Sequence, residues 1–225
     1  MERLNTDGCF VNPIEISGWT GALIGMRNPK NSWDLSDTTF SDVNDVSPTI
    51  GEKDMRLAQN LIKGGTEHRK FLRMIHVQLN VCLPRFLLQE LDTYKIGTVT
   101  NSCSTMHKLL DKVNTRKFTL DDFVYYEEDK EELLKTIDKL NNLREKYAVA
   151  KEEKDTVLCN HLLKRAKTIL PESYCLPRIM DMNYETLRTI YHQRKNHRLN
   201  ELWNDIFCEA VRNLPYAKEF ITDGE

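Results

Sequence analysis

The chain has no run of about eighteen apolar residues, the shortest stretch that spans a bilayer as a helix, so no membrane span is expected. Its opening residues, Met1-Glu2-Arg3-Leu4-Asn5, carry no apolar stretch, so no signal peptide is expected. Close cysteine pairs are also missing. The six cysteines (Cys9, Cys82, Cys103, Cys159, Cys175, Cys208) lie far apart, and only Cys103 with His107 and Cys159 with His161 have a histidine nearby. A tetrahedral zinc site takes four ligands, usually arriving in pairs, so no metal is expected. The thiols read as free and mostly packed, as in a reducing cytoplasm. Nor is there a basic excess. A formal charge of −2 argues against a dedicated nucleic-acid polymer binder, but leaves room for a small anion held by a local cationic cluster. Internal repeats are absent.

What is present is a chain of 225 residues, 40% apolar and 29% charged, which fits one globular domain over 1–225. The first fifty residues are the least regular. Trp19 to Met26 suits a short helix, and Asn28 to Pro48, rich in Asn, Asp, Ser and Thr, reads as loop. Glu52 to Lys63 is amphipathic and ends at Gly64-Gly65, a helix with a glycine stop. Ile75, Val77, Leu79 and Val81 alternate with polar residues at a strict period of two, the clearest strand signal. Pro84 breaks that pattern and opens a helix through Phe86, Leu87, Leu88 and Leu91. Lys95 to Thr100 suits a second strand or an extended loop. From 127 to 168 the composition is helical, with two apolar stripes among Glu and Lys, either a packed pair or one long helix with a solvated face. Pro171 ends it, and 184–201 and 202–214 read as two more helices. The fold class is therefore α/β (α+β), with helices in the majority.

Two stretches could carry chemistry. The segment from Asp92 to Lys108 crowds hydroxyls, an amide and a glycine between Lys95 and Lys108. Such groups suit a phosphate or a nucleobase edge, and equally a Ser/Thr-rich turn that satisfies its own backbone. The second stretch is Lys164-Arg165-Ala166-Lys167 to Pro171, followed by Asn183, Arg188 and Arg194 to Arg198. On a continuous helix Arg194, His197 and Arg198 share one face. A cationic face of that kind is most often solvated surface.

Together these stretches resemble the flavin-dependent thymidylate synthases. That family carries R-H-R-x-x-S and N-E-x-S-x-R after a strand, an Ala-Pro step and a helix, and later A-R-x-x-L-P, then Asn, then Arg. Here Leu83-Pro84 is similar to the step, Thr93-Tyr94-Lys95 stands at R-H-R, and Ile96-Gly97-Thr98 at x-x-S. After one extra residue, Thr100, Asn101-Ser102-Cys103-Ser104 resembles N-E-x-S. Ala166 to Pro171 resembles A-R-x-x-L-P with Lys167 at the arginine, and Asn183, Arg194 and an upstream His68 follow at similar spacing. The likeness runs from about His68 to Arg198.

The resemblance implies a small, mostly antiparallel sheet with several long helices. It also implies an FAD and dUMP site, with NADPH and methylenetetrahydrofolate as further reactants if the protein is active. Residue by residue, it places Ser104 and Lys95 at the reacting nucleotide. Thr98, Asn101, Ser102, Ser104, Lys167 and Arg194 fall on the substrate, and His68, Thr93, Tyr94, Lys95 and Asn183 on the cofactor. A homotetramer, a cytoplasmic location and a phage source complete the expectation. The departures are specific. Lys95 alone keeps a positive charge in the R-H-R block, the glutamate is Ser102, and the last arginine is Met106, beside His107 and Lys108. Lysine lacks the guanidinium fork that grips a phosphate or pyrimidine carbonyl at two points.

Overall fold

The alternation in 75–81 gives that segment one apolar face. In the computed structural model of the protein it becomes strand β2 (His76–Pro84), with Val77, Leu79, Val81 and Leu83 buried. The structure describes residues 3–40, 47–111 and 117–225. The ladder runs as far as Pro84, which has no N–H to continue it. Helix α3 (Arg85–Leu91) begins at the next residue and buries Leu87, Leu88 and Leu91.

β2 lies inside a four-stranded, mostly antiparallel sheet of order β1-β2-β4-β3, where β1 is Phe10–Ser17, β3 Thr98–Ser102 and β4 Cys175–Asn183. Two of these strands go beyond the sequence pattern. β1 is an edge strand that buries Val11 alone and exposes Ile14, so it shows no alternation. β4 carries Pro177 and Arg178 in its first half, and the Pro177 carbonyl accepts a hydrogen bond from the Cys103 N–H at 3.0 Å.

Helices α1 (Trp19–Gly25) and α2 (Glu52–Lys63) form where the pattern puts them, and α2 closes at Gly64, followed by Gly65 at φ +98°. The stretch 127–168 is two helices, α4 (Lys130–Glu152) and α5 (Thr156–Ile169). Between them Lys154 takes φ +58°, and the Asp155 carboxylate caps α5 by accepting from the Leu158 N–H at 2.9 Å. Ile137, Leu140 and Leu143 of α4, with Leu162 and Ala166 of α5, are buried, whereas Leu158 and Ile169 stay outside the apolar stripe.

The expected helix over 184–201 is shorter. Helix α6 (Tyr184–Arg194) stops at Arg194, and the His197 N–H turns back onto the Arg194 carbonyl. Arg194, His197 and Arg198 therefore do not share a helical face. Nor is 202–214 one regular helix: a short α7 (Asn200–Leu202) runs into a π-helical stretch (Trp203–Cys208), then α8 (Glu209–Arg212), with α9 (Ala217–Phe220) beyond.

The chain divides into two compact units. One takes in the residues up to Cys9, Cys82–Leu91 and Ser102–Arg178; the other comprises Phe10–Val81, Asp92–Asn101 and Ile179–Glu225. The first unit has an aromatic cluster of Phe118, Phe123 and Tyr174. In the second, the Trp19 ring meets Tyr184 edge-on at 5.3 Å and Tyr216 at 5.7 Å, with Phe220 and Phe71 beside them.

The second unit also buries an ion pair. Asp54 of α2 meets the Arg27 guanidinium at 2.5 Å and accepts from the Ser36 and Thr38 hydroxyls and the Asp37 and Thr38 N–H groups. Burial alone would raise the Asp54 carboxyl. The Thr38 and Ser36 hydroxyls and Arg27 outweigh it and hold the group below the ordinary carboxylate range. This network pins the loop at 27–38 onto α2.

Among the described residues no helix is long and apolar enough to cross a membrane.

Candidate functional site

In the second unit, the turn at 92–97 lies along helix α6. Asn183 caps that helix, its side-chain oxygen accepting from the Thr186 N–H at 2.9 Å and the Thr186 hydroxyl at 3.1 Å. The same hydroxyl sits 2.9 Å from the Ile96 carbonyl. Gly97, at φ +69°, fits against this cap: a Cβ there would stand 2.3 Å from the Asn183 amide nitrogen. A side chain is excluded both by the left-handed backbone and by the space.

At the other end of α6, the Tyr94 hydroxyl donates to Gln193 at 2.8 Å and accepts from Arg194 Nε at 2.8 Å. The Arg194 guanidinium lies over the Tyr94 ring at 5.6 Å and the Trp203 ring at 4.9 Å. Contacts of this kind are worth about 0.5–2 kcal/mol each, so Arg194 is firmly placed by its own neighbours. Asn183 and Arg194 are eleven residues apart on one helix axis, about 16 Å at 1.5 Å per residue, too far to grip the same small group.

Thr98 begins β3, and its hydroxyl is buried with no hydrogen-bond partner among the described residues. Lys95 is exposed and has no ion-pair partner among them, while Thr93 and Asn101 are exposed. His68 is exposed in the turn after α2, packed beside Gly64. Its neighbour Arg69 reaches α6 instead, its Nε lying 2.8 and 3.0 Å from the two Glu185 oxygens.

The same turn borders a cleft of about 670 Å³ lined by Lys63, Arg69, Arg188, Lys218, Glu219 and Asp223 among others. Arg188 is buried and donates to the Phe220 and Ile221 carbonyls and to Asp223 at 2.6 Å, and it holds the Asp223 carboxyl below its usual range. None of Lys95, Thr98, Asn183 or Arg194 lines that cleft.

The remaining expected residues belong to the first unit. The Ser104 hydroxyl caps a turn, accepting from the His107 N–H at 3.2 Å. Lys167 of α5 reaches the same turn, with Nζ 3.4 Å from the Thr105 hydroxyl and 2.9 Å from the Met106 sulfur. Ser102 is exposed at the end of β3. The structure thus brings Lys167 to the Ser104 turn, and brings Tyr94 and Asn183 to the two ends of α6.

Thr186, Gln193, Trp203, Arg69 and Glu185 complete these contacts without any signal in the sequence that marks them, and Gly97, expected beside a ligand, packs against the helix cap instead. Asn183 three residues before Thr186 was a legible cap signal. The partners of Tyr94 were not legible, because they follow from helix register.

No protein-family model matches the sequence, and no curated protein is detectably similar to it. The fold is that of the flavin-dependent thymidylate synthases. The chain is similar to ThyX from Helicobacter pylori, solved in complex with FAD and dUMP, at a TM-score of 0.68 and 19% identity over 95% of this chain and 98% of that one. A second structure of the Helicobacter pylori enzyme with FAD and dUMP matches at 0.66 and 19% identity, over 96% of this chain and 98% of that one.

Proposed function

We propose that the protein holds a pyrimidine deoxynucleotide, dUMP, together with FAD, and performs a reductive methylation or a related pyrimidine modification. Methylenetetrahydrofolate would be the carbon donor and NADPH the reductant. One observation carries this: the fold matches, over nearly its whole length, thymidylate synthases whose structures hold both FAD and dUMP. The donor set suits such ligands. The Thr98 hydroxyl is buried without a partner, and the Asn183 amide nitrogen and the Lys95 ammonium have none among the described residues. In this reading His68, Thr93, Tyr94, Lys95 and Asn183 serve the flavin. Thr98, Asn101, Ser102, Ser104, Lys167 and Arg194 serve the nucleotide, with Arg194 held by Tyr94 and Trp203. Reduced flavin, when bound, supplies the hydride. The chain's own residues bind the nucleotide, orient it and offer hydrogen bonds to its ring, the electrostatic share of catalysis. Assembly as a homotetramer belongs to the same proposal.

A second reading has its own support. Thr93 and Met106 stand where the similar family has arginines, and Arg194 is already engaged by Tyr94 and Trp203. Removing one preorganised donor costs about 3–4 kcal/mol of transition-state stabilisation, so a nucleotide-binding protein that sequesters or senses without turnover fits the same scaffold. NADPH oxidation with FAD and folate, with and without dUMP, separates the two. dUMP-dependent oxidation supports the enzyme, and a dUMP-induced rise in melting temperature without oxidation supports the binder. If neither appears, both fail.

A further inference from the structure

Cys9 and Cys175 lie 166 residues apart in sequence, yet their sulfurs are 3.5 Å apart. Both are held in place. Cys9 closes a turn by donating its N–H to the Thr6 carbonyl at 2.8 Å, and Asn5 pairs with Tyr125 through backbone hydrogen bonds at 2.8 and 3.4 Å. Gly8 is packed so tightly that a Cβ there would meet the Asp121 carbonyl at 2.0 Å. Cys175 opens β4 and is 4% exposed. Neither sulfur serves the proposed nucleotide site, and Cys9, unlike Cys175, is part-exposed.

We propose that Cys9 and Cys175 are a modification site, a dithiol that a low-molecular-weight disulfide such as oxidised glutathione converts reversibly to an internal disulfide. The sulfurs need to close by about 1.5 Å to reach the S–S bond length of about 2.05 Å, a shift the turn at 6–9 can share. Cys9, the accessible sulfur, gives its proton to solvent and attacks the reagent. A Cys9–glutathione mixed disulfide forms, and one glutathione thiolate leaves and takes up a proton. The Cys175 sulfur then attacks Cys9 Sγ, the mixed disulfide breaks, and the second glutathione leaves with the Cys175 proton. Two protein thiols are oxidised and one external disulfide is reduced to two thiols. Exposure sets the order: Cys9, part-exposed, meets the reagent first, and Cys175, buried 3.5 Å behind it, is the sulfur within reach to close the bond.

The test is to treat the full-length protein with oxidised glutathione, trap remaining thiols with an alkylating agent, and map non-reduced peptides. The exposed Cys103 serves as the reactivity control. The expected result is a Cys9 peptide linked to a Cys175 peptide, two fewer alkylated thiols, reversal by reductant, and a higher melting temperature for the oxidised form. In Cys175→Ser the expected product is a glutathione adduct that persists on Cys9. A stable adduct on Cys9 in the wild-type protein, a Cys82–Cys175 link, or full alkylation of both thiols while Cys103 is glutathionylated would each overturn the proposal.

Discussion

Gly97→Ala probes the junction between the 92–97 turn and the cap of α6 without removing a polar group. Alanine at φ +69° costs about 1–2 kcal/mol, partly offset by about 0.4–1 kcal/mol from a stiffer unfolded chain. Its Cβ would sit 2.3 Å from the Asn183 amide nitrogen, so Asn183 must move and the helix loses its cap. That loss is worth about 1 kcal/mol. The sum is about 2 kcal/mol, or a fall of about 4–8 °C in melting temperature for a chain of this length. Thermal unfolding of Gly97→Ala, Asn183→Ala and the double variant separates the terms. With Asn183 already truncated, Gly97→Ala should cost only its backbone share, leaving a coupling of about 1 kcal/mol. Gly97→Ala within about 0.5 kcal/mol of wild type, or strictly additive variants, would refute the packing of this turn against the cap.

Asp54→Ala leaves the Arg27 guanidinium buried without its carboxylate and should cost about 3–5 kcal/mol in urea unfolding, whereas an unchanged midpoint would remove the ion pair from the account. Thr98→Val replaces an unpartnered buried hydroxyl with a methyl group. It should leave the free protein as stable or slightly more so, while weakening dUMP about tenfold in calorimetry; equal affinity would clear Thr98 of a binding role. Arg188 holds the Asp223 carboxyl below its ordinary value of 3.8. That contribution is full above the unfolded carboxylate's range and lost as pH falls through 3.8 toward the depressed value. Asp223→Asn should therefore flatten the acid limb of melting temperature against pH, and a limb identical to wild type would count against the pairing.

How much of this was legible in the sequence follows from where each element faces. β2 shows its period because one face is buried and the other only half-buried. β1, an edge strand with a single buried side chain, carries Pro13 at no cost to an inner ladder and so gives no pattern. β4 was hidden by Pro177 and Arg178. The end of α6 was invisible for a different reason: no glycine or proline follows Arg194, and the helix ends in a turn closed by the His197 N–H on the Arg194 carbonyl. The π-helical stretch at Trp203 likewise has no local signature, yet it presents the ring that holds Arg194. The segments that resemble a thymidylate synthase were legible in order and spacing. Their assembly, with Tyr94 at one end of α6 and Gly97 at the other, came only with the structure.

The central claim is that this scaffold, with Thr93-Tyr94-Lys95 in place of an arginine-rich block, still holds a flavin. The visible absorption spectrum of the purified protein, recorded before and after addition of FAD and then dUMP, tests it directly. A perturbed flavin spectrum that saturates with protein and changes again with dUMP is the expected result. A spectrum indistinguishable from free FAD at every protein concentration, and unmoved by dUMP, would contradict it.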